Sequence, residues 1–357
     1  MPAIDDAGAR GLRRLHLVTP DAQYADDGVV ERRVAGAGVD WTICRERRAA
    51  ALPGAALAGA DALVVWHEMP VDAELIARMP RCRLIVRAGV GFDHIDLAAA
   101  GRAGIPVCNT PDYGTSEVAD HTIALMLALA RGIVSYHDAL ARDPVGGYDS
   151  TLAPLVTRLR GATFGCVGIG RIGSAAALRA KAFGMRVIGH DPHAARGHEI
   201  ALGIERVETL DALLEASDVV SLHCPLNDDT RGLIGAGALR RMRPHALLLN
   251  TARGALVDVD ELLRALHDGR LAGAALDVLP VEPPDPHDPV VAACRSADVA
   301  AGLRGRLILT PHAAWSSPQS REDARRLAVE TAMLYLRTGR LRNLVNEAWL
   351  GPLRSAA

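Results

Sequence analysis

The sequence is poor in aromatic residues, lacks paired cysteines and has no long apolar run. Phenylalanine, tryptophan and tyrosine make up 3% of its 357 residues, so we expect a mainly aliphatic core. None of the six cysteines belongs to a C-x-x-C pair, which favours free thiols in a reducing compartment over disulfides or a zinc site. The longest uninterrupted apolar run, ALMLALA at 124–130, is far too short to span a bilayer.

A strong charge of one sign is also missing. The formal net charge is −2 and the isoelectric point is about 6.7, which argues against a nucleic-acid partner. The N-terminal residues begin with acidic side chains and lack the apolar block of a signal peptide. Together these absences predict a soluble, cytoplasmic protein without metal, membrane or nucleic-acid partners.

Short apolar strands alternate with helical stretches along the chain, which predicts βαβ units and parallel sheets. The strands fall into two sets, and a chain of 357 residues favours two domains. The first set is predicted at Leu15–Val18, Ala62–Val65, Leu84–Val86 and Pro106–Cys108. The second set is predicted at Phe164–Val167, Arg186–Ile188, Val219–Leu222, Ala246–Leu249, Ala274–Leu276 and Leu307–Leu309.

Helical segments indicate where the domains meet in the sequence. Residues 116–131 are apolar nearly all round, as in a helix buried between layers, and we place the first boundary there. Residues 135–160 show no clear pattern and are interpreted as a link to the next strand. Asp258 and Glu261 have capping-box spacing for a helix that Gly269 would end. After Ser317 the pattern predicts one long helix.

A G-x-G-x-x-G motif stands directly after a predicted strand and directly before a predicted helix. Alone it could be a glycine-rich turn that packs a helix on a strand. Asp191, however, follows the next strand 18 residues after Gly173, where an acidic residue binds the ribose hydroxyls of NAD. Its charge would repel a 2′-phosphate, so NAD is favoured over NADP. The predicted cofactor-binding residues of this part are Gly168, Gly170, Arg171, Ile172, Gly173 and Asp191.

Polar residues follow the later strands of the second set, and ligands of open α/β sheets bind beyond the carboxyl ends of the strands. Taken singly, an arginine after a strand is usually solvated, and a histidine there is usually a cap or a packed ring. Because several such residues follow strands at the same edge of one nucleotide-binding domain, together they favour a functional site. The strand-end residues predicted to contact the cofactor are His223, Cys224, Pro225, Thr251, Ala252, Arg253, Asp277 and His312.

Three of these strand-end positions together suit the reduction of a 2-keto acid. Arg253 can bind the carboxylate bidentately and polarise the carbonyl group. His312 can act as the acid in reduction and as the base in oxidation. Glu282, if it is hydrogen-bonded to the imidazole, would orient the ring and stabilise its protonated form.

Five motifs, in order GCVGIGRIG, HDP, NTARGALVD, GAALDVLPVEPP and TPHAAW, resemble the D-isomer-specific 2-hydroxyacid dehydrogenase family, over about Arg87 to Asn346. The resemblance implies an NAD-dependent enzyme that transfers a hydride between NAD(H) and a D-2-hydroxy acid or 2-keto acid. Its catalytic residues would be Arg253, Glu282 and His312. It also implies a homodimer and an α/β fold of two Rossmann-like, doubly wound parallel-sheet domains with an interdomain active-site cleft. Residues 1–115 and 319–357 would form the substrate domain, and residues 116–318 the NAD-binding domain.

Within the family, the stretches VRAGVGFDHIDLAAAGRAGIPVCN and LRAKAFGMRV and the Trp of TPHAAW are similar to the C-terminal-binding-protein branch. By this resemblance Arg87 and the backbone of Gly89, Val90 and Gly91 would face the substrate carboxylate. That branch includes NAD-linked corepressors, so a second hypothesis stays open: an NAD(H)-sensing, corepressor-like interaction protein with vestigial dehydrogenase activity. Arg87 could instead be a surface cation beside a turn.

The same resemblance implies that Trp315 forms a wall of the substrate pocket. If Ala313 and Ala314 open a helical turn, His312 and Trp315 lie on one face of it. The alternative is a tryptophan of the core or of a dimer interface. The loop between Glu282 and His312 departs from the family pattern, because it carries an insertion rich in alanine and arginine.

Overall fold

A computed structural model describes residues 13–295 and 303–351. These residues form two compact units. Unit 1 comprises the described residues from 13 to 113 and from 317 to 351, and unit 2 those from 114 to 316. The start of the chain, on which the signal-peptide prediction rests, and residues 296–302 of the insertion after Glu282 lie outside the described residues.

Unit 1 is built on a sheet of five parallel strands. The strands are β1 (Leu15–Thr19), β2 (Val39–Ile43), β3 (Ala62–Val65), β4 (Leu84–Arg87) and β5 (Val107–Asn109). Their order across the sheet, β2-β1-β3-β4-β5, reverses between β1 and β3, as in flavodoxin-like folds. Every residue of β3, β4 and β5 is buried, as expected of parallel strands covered on both faces.

The helices of unit 1 come from both parts of its chain. They are α1 (Val29–Ala35), α2 (Gly54–Gly59), α3 (Ala73–Ala77), α4 (Leu97–Arg102) and α13 (Pro318–Thr338). α13 begins with a capping box between Ser317 and Ser320 and packs against α1, β3 and β4. Beyond α13, the Asn346 side chain accepts a hydrogen bond from the N–H of Val107 at 2.8 Å, which adds the tail to unit 1.

Unit 2 contains a sheet of seven parallel strands. The strands are β6 (Thr163–Val167), β7 (Arg186–His190), β8 (Glu205–Arg206), β9 (Val219–Leu222), β10 (Leu247–Asn250), β11 (Gly273–Leu276) and β12 (Leu307–Leu309). Their order is β12-β11-β10-β9-β6-β7-β8, so it reverses between β6 and β9. In a Rossmann sheet this reversal is where a dinucleotide binds.

The helices of unit 2 pack against its sheet, both next to the glycine motif and next to the later strands. They are α5 (Thr115–Ala130), α6 (Ile133–Arg142), α7 (Arg171–Ala182), α8 (His198–Leu202), α9 (Leu210–Ala216), α10 (Ala236–Arg241), α11 (Val259–His267) and α12 (Pro289–Arg295). α5 packs against α7, β10 and β11. Its Met126 and Leu129 are fully buried in a cluster with Phe164 of β6, which explains why that helix is apolar nearly all round.

The two-sheet α/β fold predicted from the sequence is confirmed, and each of the ten predicted strands is present. Two edge strands were not predicted from the sequence: β2, which is mostly half-exposed, and β8, which has only two residues. The interpretation of 135–160 as a featureless link is wrong at its start, because α6 lies there. Ile133, Tyr136 and Leu140 of α6 have helical spacing, but this apolar stripe spans only ten residues and no residue of α6 is buried in the core.

Two further sequence expectations concern cysteine and membrane segments. All six cysteines are free thiols, as predicted. Within residues 13–295 and 303–351, no single helix is long and apolar enough to cross a bilayer. The pair α5 and α6 passes that test only jointly, and the two are bent by 57°.

Candidate active site

The glycine loop joins β6 to α7 at the point where the strand order of unit 2 reverses. Gly168 has a φ of 91°, and a Cβ there would lie 2.9 Å from the backbone of His223 and Cys224. A Cβ on Gly170, in contrast, would meet none of the described atoms within 4 Å. The loop therefore packs tightly on its inner side and leaves open space at the N-terminus of α7, where free N–H groups favour an anion.

Asp191 directly follows β7 and is tied to the glycine loop. Its Oδ2 accepts the N–H of Ile169 at 3.0 Å, and its Oδ1 accepts the N–H groups of His193 and Ala194 at 2.9 and 3.1 Å. Oδ2, which accepts a single N–H, keeps a lone pair for a ligand hydroxyl. Arg206 stabilises the turn after β7, because its Nη2 donates to the carbonyl oxygens of Asp191 and Ala194.

His223 and Cys224 follow β9 and lie against Gly168. Burial lowers the pKa of His223 to about 4, and the ring Nε2 lies 2.9 Å from the hydroxyl of Ser221. Burial raises the pKa of the Cys224 thiol to about 11, and the charge of Asp191 acts in the same direction. Both side chains are therefore neutral at pH 7. The next residue, Pro225, is exposed.

The loop after β10 carries Thr251, Ala252 and Arg253. It is held by Asn250, whose fully buried side chain accepts the N–H of Ala252 at 3.0 Å and donates to the carbonyl oxygen of Arg253 at 2.8 Å. The hydroxyl of Thr251 lies 2.8 Å from that of Thr122 on α5. The Arg253 side chain is partly exposed, and its Nη1 donates to the carbonyl oxygen of Ala252 at 2.7 Å.

Gly254 connects this loop to the one that carries Glu282. A Cβ on Gly254 would lie 2.0 Å from the carbonyl carbon of Leu279, so the two backbones are in direct contact. The N–H of Leu279 in turn donates to Glu282 Oε1 at 2.9 Å. The positions of Arg253 and Glu282 are therefore linked through one close backbone contact that only glycine fits.

Glu282 and His312 form a hydrogen-bonded pair. The distance from His312 Nδ1 to Glu282 Oε2 is 2.6 Å, and the two side chains are 21% and 29% exposed. Burial raises the pKa of Glu282. The hydrogen bond and charge of His312, the Leu279 N–H and the charge of Arg253 outweigh burial and lower that pKa overall. The pair thus consists of an ionised carboxylate and an imidazole that donates to it, with Arg253 close enough to act electrostatically.

Asp277 anchors the turn that holds His312. Its carboxylate is 1% exposed and accepts hydrogen bonds from the Thr310 hydroxyl at 2.5 Å and from the N–H groups of Ala313 and Ala314 at 2.9 Å each. Its carbonyl oxygen accepts the N–H of His312 at 2.7 Å. The sequence predicted Asp277 as a cofactor contact. In the structure it binds the backbone N–H groups of His312 and of the two residues that follow it, and the Thr310 side chain.

Trp315 lies in a turn, and the helical turn that the sequence suggested is not formed. The N–H of Ser316 donates to the carbonyl oxygen of Ala313, His312 has a φ of 52°, and the next helix, α13, begins only at Pro318. Because α13 begins only at Pro318, His312 and Trp315 do not belong to a helix, and helical spacing does not bring them to one face. Trp315 is partly exposed, and its Cβ and backbone lie beside Gly114.

In unit 1, Arg87 ends β4 and is not a surface cation, because it is only 4% exposed. Its Nη1 donates to the carbonyl oxygen of Ala88 at 2.5 Å, and its Nε donates to that of Gly91 at 2.8 Å. The guanidinium therefore holds the Gly89–Val90–Gly91 loop in shape. Asn109 supports the same loop, since its Nδ2 donates to the carbonyl oxygen of Val90 at 2.7 Å.

Sequence reasoning missed several residues that support the site. Asn250 and Gly254 flank Arg253 in the motif NTARG, and their place at a strand end was the available signal. His121 and Thr310 lie 3.1 Å apart but 189 positions apart in sequence, so no local pattern could reveal them. In the part of the chain that the structure describes, no three potential metal ligands gather.

A dinucleotide-type glycine loop and a histidine–carboxylate pair on the same sheet define the class of Rossmann-fold oxidoreductases. Within that class, the family model described as D-isomer specific 2-hydroxyacid dehydrogenase, NAD binding domain, matches residues 123–314. The chain belongs to the family of D-isomer-specific 2-hydroxyacid dehydrogenases.

Known proteins agree with this assignment. Glyoxylate reductases of Korarchaeum cryptofilum and Aeropyrum pernix are each 39% identical to the chain over 290 residues, which cover 80% of this chain and 83% of theirs. The structure of D-lactate dehydrogenase from Aquifex aeolicus with NAD and lactic acid is 30% identical. It has a TM-score of 0.78 and covers 94% of this chain and 99% of that one.

An NADPH-dependent glyoxylate/hydroxypyruvate reductase from Sinorhizobium meliloti, in complex with NADP and malonate, is 29% identical. Its TM-score is 0.81, and the match covers 96% of this chain and all of that one. The protein is therefore an NAD(P)-dependent oxidoreductase of the 2-hydroxyacid dehydrogenase and glyoxylate reductase family. These relatives are enzymes of hydroxy and keto acids by name, and they lend no support to the corepressor-like hypothesis.

Proposed function

We propose that the protein is an NAD(H)-dependent reductase of small 2-keto acids, in which His312 is the acid–base residue, Glu282 its partner and Arg253 the substrate-binding cation. The observation that carries the proposal is the 2.6 Å contact between His312 Nδ1 and Glu282 Oε2, in the same unit as the glycine loop. Nδ1 is engaged by the carboxylate, and we assign proton exchange with the substrate to Nε2.

The chain's own residues fit a dinucleotide. Gly168, Gly170 and Gly173 shape the loop, Arg171 and Ile172 open α7 beside the open space, and Asp191 stands at the loop's edge as a hydroxyl acceptor. When bound, NADH supplies a hydride to the substrate's carbonyl carbon. The neutral His223 and Cys224, followed by Pro225, suit an uncharged part of the cofactor. Thr251, Ala252 and Asp277 complete the proposed cofactor contacts.

The roles of the three polar residues follow from their charges. Arg253 binds the substrate carboxylate and polarises the carbonyl oxygen, on which negative charge develops during reduction. His312 donates the proton from Nε2 to that oxygen, so the product is a 2-hydroxy acid and the ring is left neutral. The ionised Glu282 favours the protonated ring before this step and keeps its orientation afterwards. Oxidation reverses these steps.

The preference for NAD over NADP rests on Asp191. Its carboxylate would repel a 2′-phosphate at the same position. Arg196, in the segment after Asp191, is mostly exposed, and its Nη1 lies 3.3 Å from Glu208 Oε1, which competes for its charge. Solved relatives carry either cofactor by name, NAD in one and NADP in another, so the choice must be made by each chain's own residues.

The proposed substrates are glyoxylate and related small 2-keto acids, because the curated relatives are glyoxylate reductases. Trp315 would supply apolar contact to the substrate's side chain, which is supported by its partial exposure three residues after His312. Arg87 would act by holding the Gly89–Val90–Gly91 loop, whose backbone would face the carboxylate.

The domain roles and the quaternary structure are part of the same proposal. Unit 1 would be the substrate domain and unit 2 the NAD-binding domain, with the family model lying within unit 2. A homodimer through α6 and the segment after it is supported by apolar side chains exposed there, namely Ile133, Val134, Leu140, Val145, Tyr148, Leu152 and Val156. The six free thiols are consistent with the reducing cytoplasm.

The test is NADH and NADPH oxidation by the purified protein with glyoxylate, hydroxypyruvate, pyruvate, phenylpyruvate and 4-methylthio-2-oxobutyrate. We expect turnover with at least one small keto acid and a higher kcat/KM for NADH than for NADPH. Equal kcat/KM values for NADH and NADPH would contradict the assignment of Asp191 as the residue that favours NAD. No turnover with any of the five acids would contradict the proposed reaction.

A further inference from the structure

His121 of α5 lies close to Thr310 and Asp277, which hold the turn around His312. Its Nε2 is 3.1 Å from the Thr310 hydroxyl and 3.7 Å from Asp277 Oδ1. The His121 side chain is 26% exposed, whereas the Asp277 carboxylate is almost fully buried. His121, nearly two hundred positions before His312 in the sequence, thus reaches the Asp277 carboxylate, which binds the backbone next to His312.

The hydrogen bonds fix the direction of this contact. The Thr310 hydroxyl has a single proton, and at 2.5 Å from Asp277 Oδ1 it must donate that proton to the carboxylate. The hydroxyl oxygen can then only accept from His121. His121 therefore carries a proton on Nε2, and the chain of donors runs from His121 to Thr310 to Asp277.

That chain ends on the backbone of the turn. Asp277 Oδ1 also accepts the N–H of Ala313, Oδ2 accepts the N–H of Ala314, and the Asp277 carbonyl oxygen accepts the N–H of His312. His312 has a φ of 52°, which a residue with a side chain keeps only when its surroundings hold it there. A loosened Asp277 would release His312 towards an ordinary backbone conformation.

We propose that His121 is a positioning residue for the reaction: through Thr310 it fixes the rotamer of Asp277, and through Asp277 it holds His312 against Glu282. This inference rests on the proposed function, because it assigns His121 to the support of His312. His121 does not touch substrate or cofactor in this account. Its effect should therefore appear in kcat, with KM for NADH changed much less.

The experiment compares kcat and KM of His121→Leu, His121→Gln, Thr310→Val and the double variant His121→Leu/Thr310→Val. Leucine removes the donor, while glutamine places an N–H where Nε2 stands. We expect kcat to fall about tenfold in His121→Leu, since small misplacements of catalytic groups are costly. His121→Gln should recover most of the loss. The double variant should be no slower than Thr310→Val, because both changes break one chain.

A matched control and a second readout complete the test. His245 Nε2 lies 2.7 Å from Asp218 Oδ1, also a histidine–carboxylate contact of unit 2, but it precedes β10 at the opposite edge of the sheet. His245→Leu should keep the wild-type kcat. Hydrogen exchange of the peptide spanning 310–316, read by mass spectrometry, should speed up in His121→Leu and in Thr310→Val, and stay at the wild-type rate in His121→Gln.

Three results would overturn the inference: wild-type kcat in His121→Leu, an equally low kcat in the leucine and glutamine variants, or effects that multiply in the double variant. If the wild type reduces none of the keto acids, the proposed function fails and hydrogen exchange alone decides. Unchanged exchange at 310–316 then refutes the positioning role. Should His121→Leu not fold, His121→Asn replaces it, because its shorter side chain cannot reach Thr310.

Discussion

His312 combines a strained backbone with a charged partner. Its φ of 52° belongs to a region where non-glycine residues cost of order 1–3 kcal/mol, and such residues gather at functional sites. Three hydrogen bonds to the Asp277 carboxylate and one to its carbonyl oxygen hold the turn in this conformation. The ring meets Glu282, whose pKa is lowered mainly by His312 against the effect of burial.

The charge of Glu282 should set the pH range of reduction. A lowered pKa in the folded protein means that the carboxylate is ionised at working pH, and its stabilising contribution disappears only as the pH falls through that lowered pKa. Glu282→Gln removes a charge that favours the protonated imidazole. The alkaline limb of the kcat/KM profile for keto-acid reduction should move by about one pH unit towards acid. An unchanged profile would show that Glu282 is not coupled to His312.

Trp315 offers a second test at a single residue. If it walls the substrate pocket, Trp315→Ala should change the ranking of kcat/KM among keto acids of different size and leave the thermal midpoint nearly unchanged. Truncation of a core tryptophan would instead cost about 3–5 kcal/mol of stability. The keto-acid panel and the thermal midpoint, measured on one preparation, separate the two roles. A large fall in midpoint with the ranking preserved would rule out the pocket wall.

At the scale of elements, the candidate site depends on strand-end loops that touch one another. The loop after β10 carries Arg253, and the loop after β11 carries Glu282. Gly254 brings them together, because a Cβ there would lie 2.0 Å from the Leu279 carbonyl carbon. Rossmann sheets place such loops at one edge, but the contact between them depends on this one residue.

Gly254→Ala should therefore separate the two loops. We expect kcat/KM for the keto acid to fall by about 100-fold, because a shift near 1 Å at a catalytic group can cost that much. Binding of NADH, followed by its fluorescence, should weaken much less. Gly237→Ala is the control, since α10 has open space at that position and alanine favours a helix. Equal effects of the two substitutions would mean that the backbone contact at Gly254 does not position the site.

The elements also show how far sequence reasoning reaches. Buried parallel strands such as β6 and β9 form apolar runs, and the glycine loop and the strand-end Arg253, Glu282 and His312 can be located from such runs. The edge strand β8 has only two residues, and the apolar residues of α6 belong to a short, exposed helix, so neither element was predicted. The contacts of His121 with Thr310, and of Gly254 with Leu279, join segments distant in sequence, and only a folded chain reveals them.

At the scale of the whole molecule, one exposed apolar surface is typical of a protein–protein contact. Val145 and Tyr148 are 87% and 82% exposed, and Ile133 is 57% exposed, all on α6 or the segment that follows it. Clustered apolar exposure of this kind marks an interaction surface. We propose a second copy of the chain as the partner.

The oligomeric state tests this surface. Ile133→Asp combined with Tyr148→Asp should convert a dimer into a monomer in light scattering, because two charges would be buried at the interface. Ile200→Asp is the control, since Ile200 is 77% exposed on α8, away from that surface in sequence, and should leave the dimer intact. A wild-type monomer, or a dimer that survives the double substitution, would contradict the proposed interface.

The central claim, that His312 with Glu282 performs acid–base chemistry on a 2-keto acid, is tested most directly by one measurement. It is the kcat of glyoxylate reduction in His312→Ala, at an NADH concentration that saturates both variant and wild type, with NADH binding followed by fluorescence in the same samples. The account predicts a loss of about 100-fold or more in kcat, as for a missing general acid, with NADH affinity nearly unchanged. A His312→Ala variant that reduces glyoxylate at the wild-type rate would contradict it.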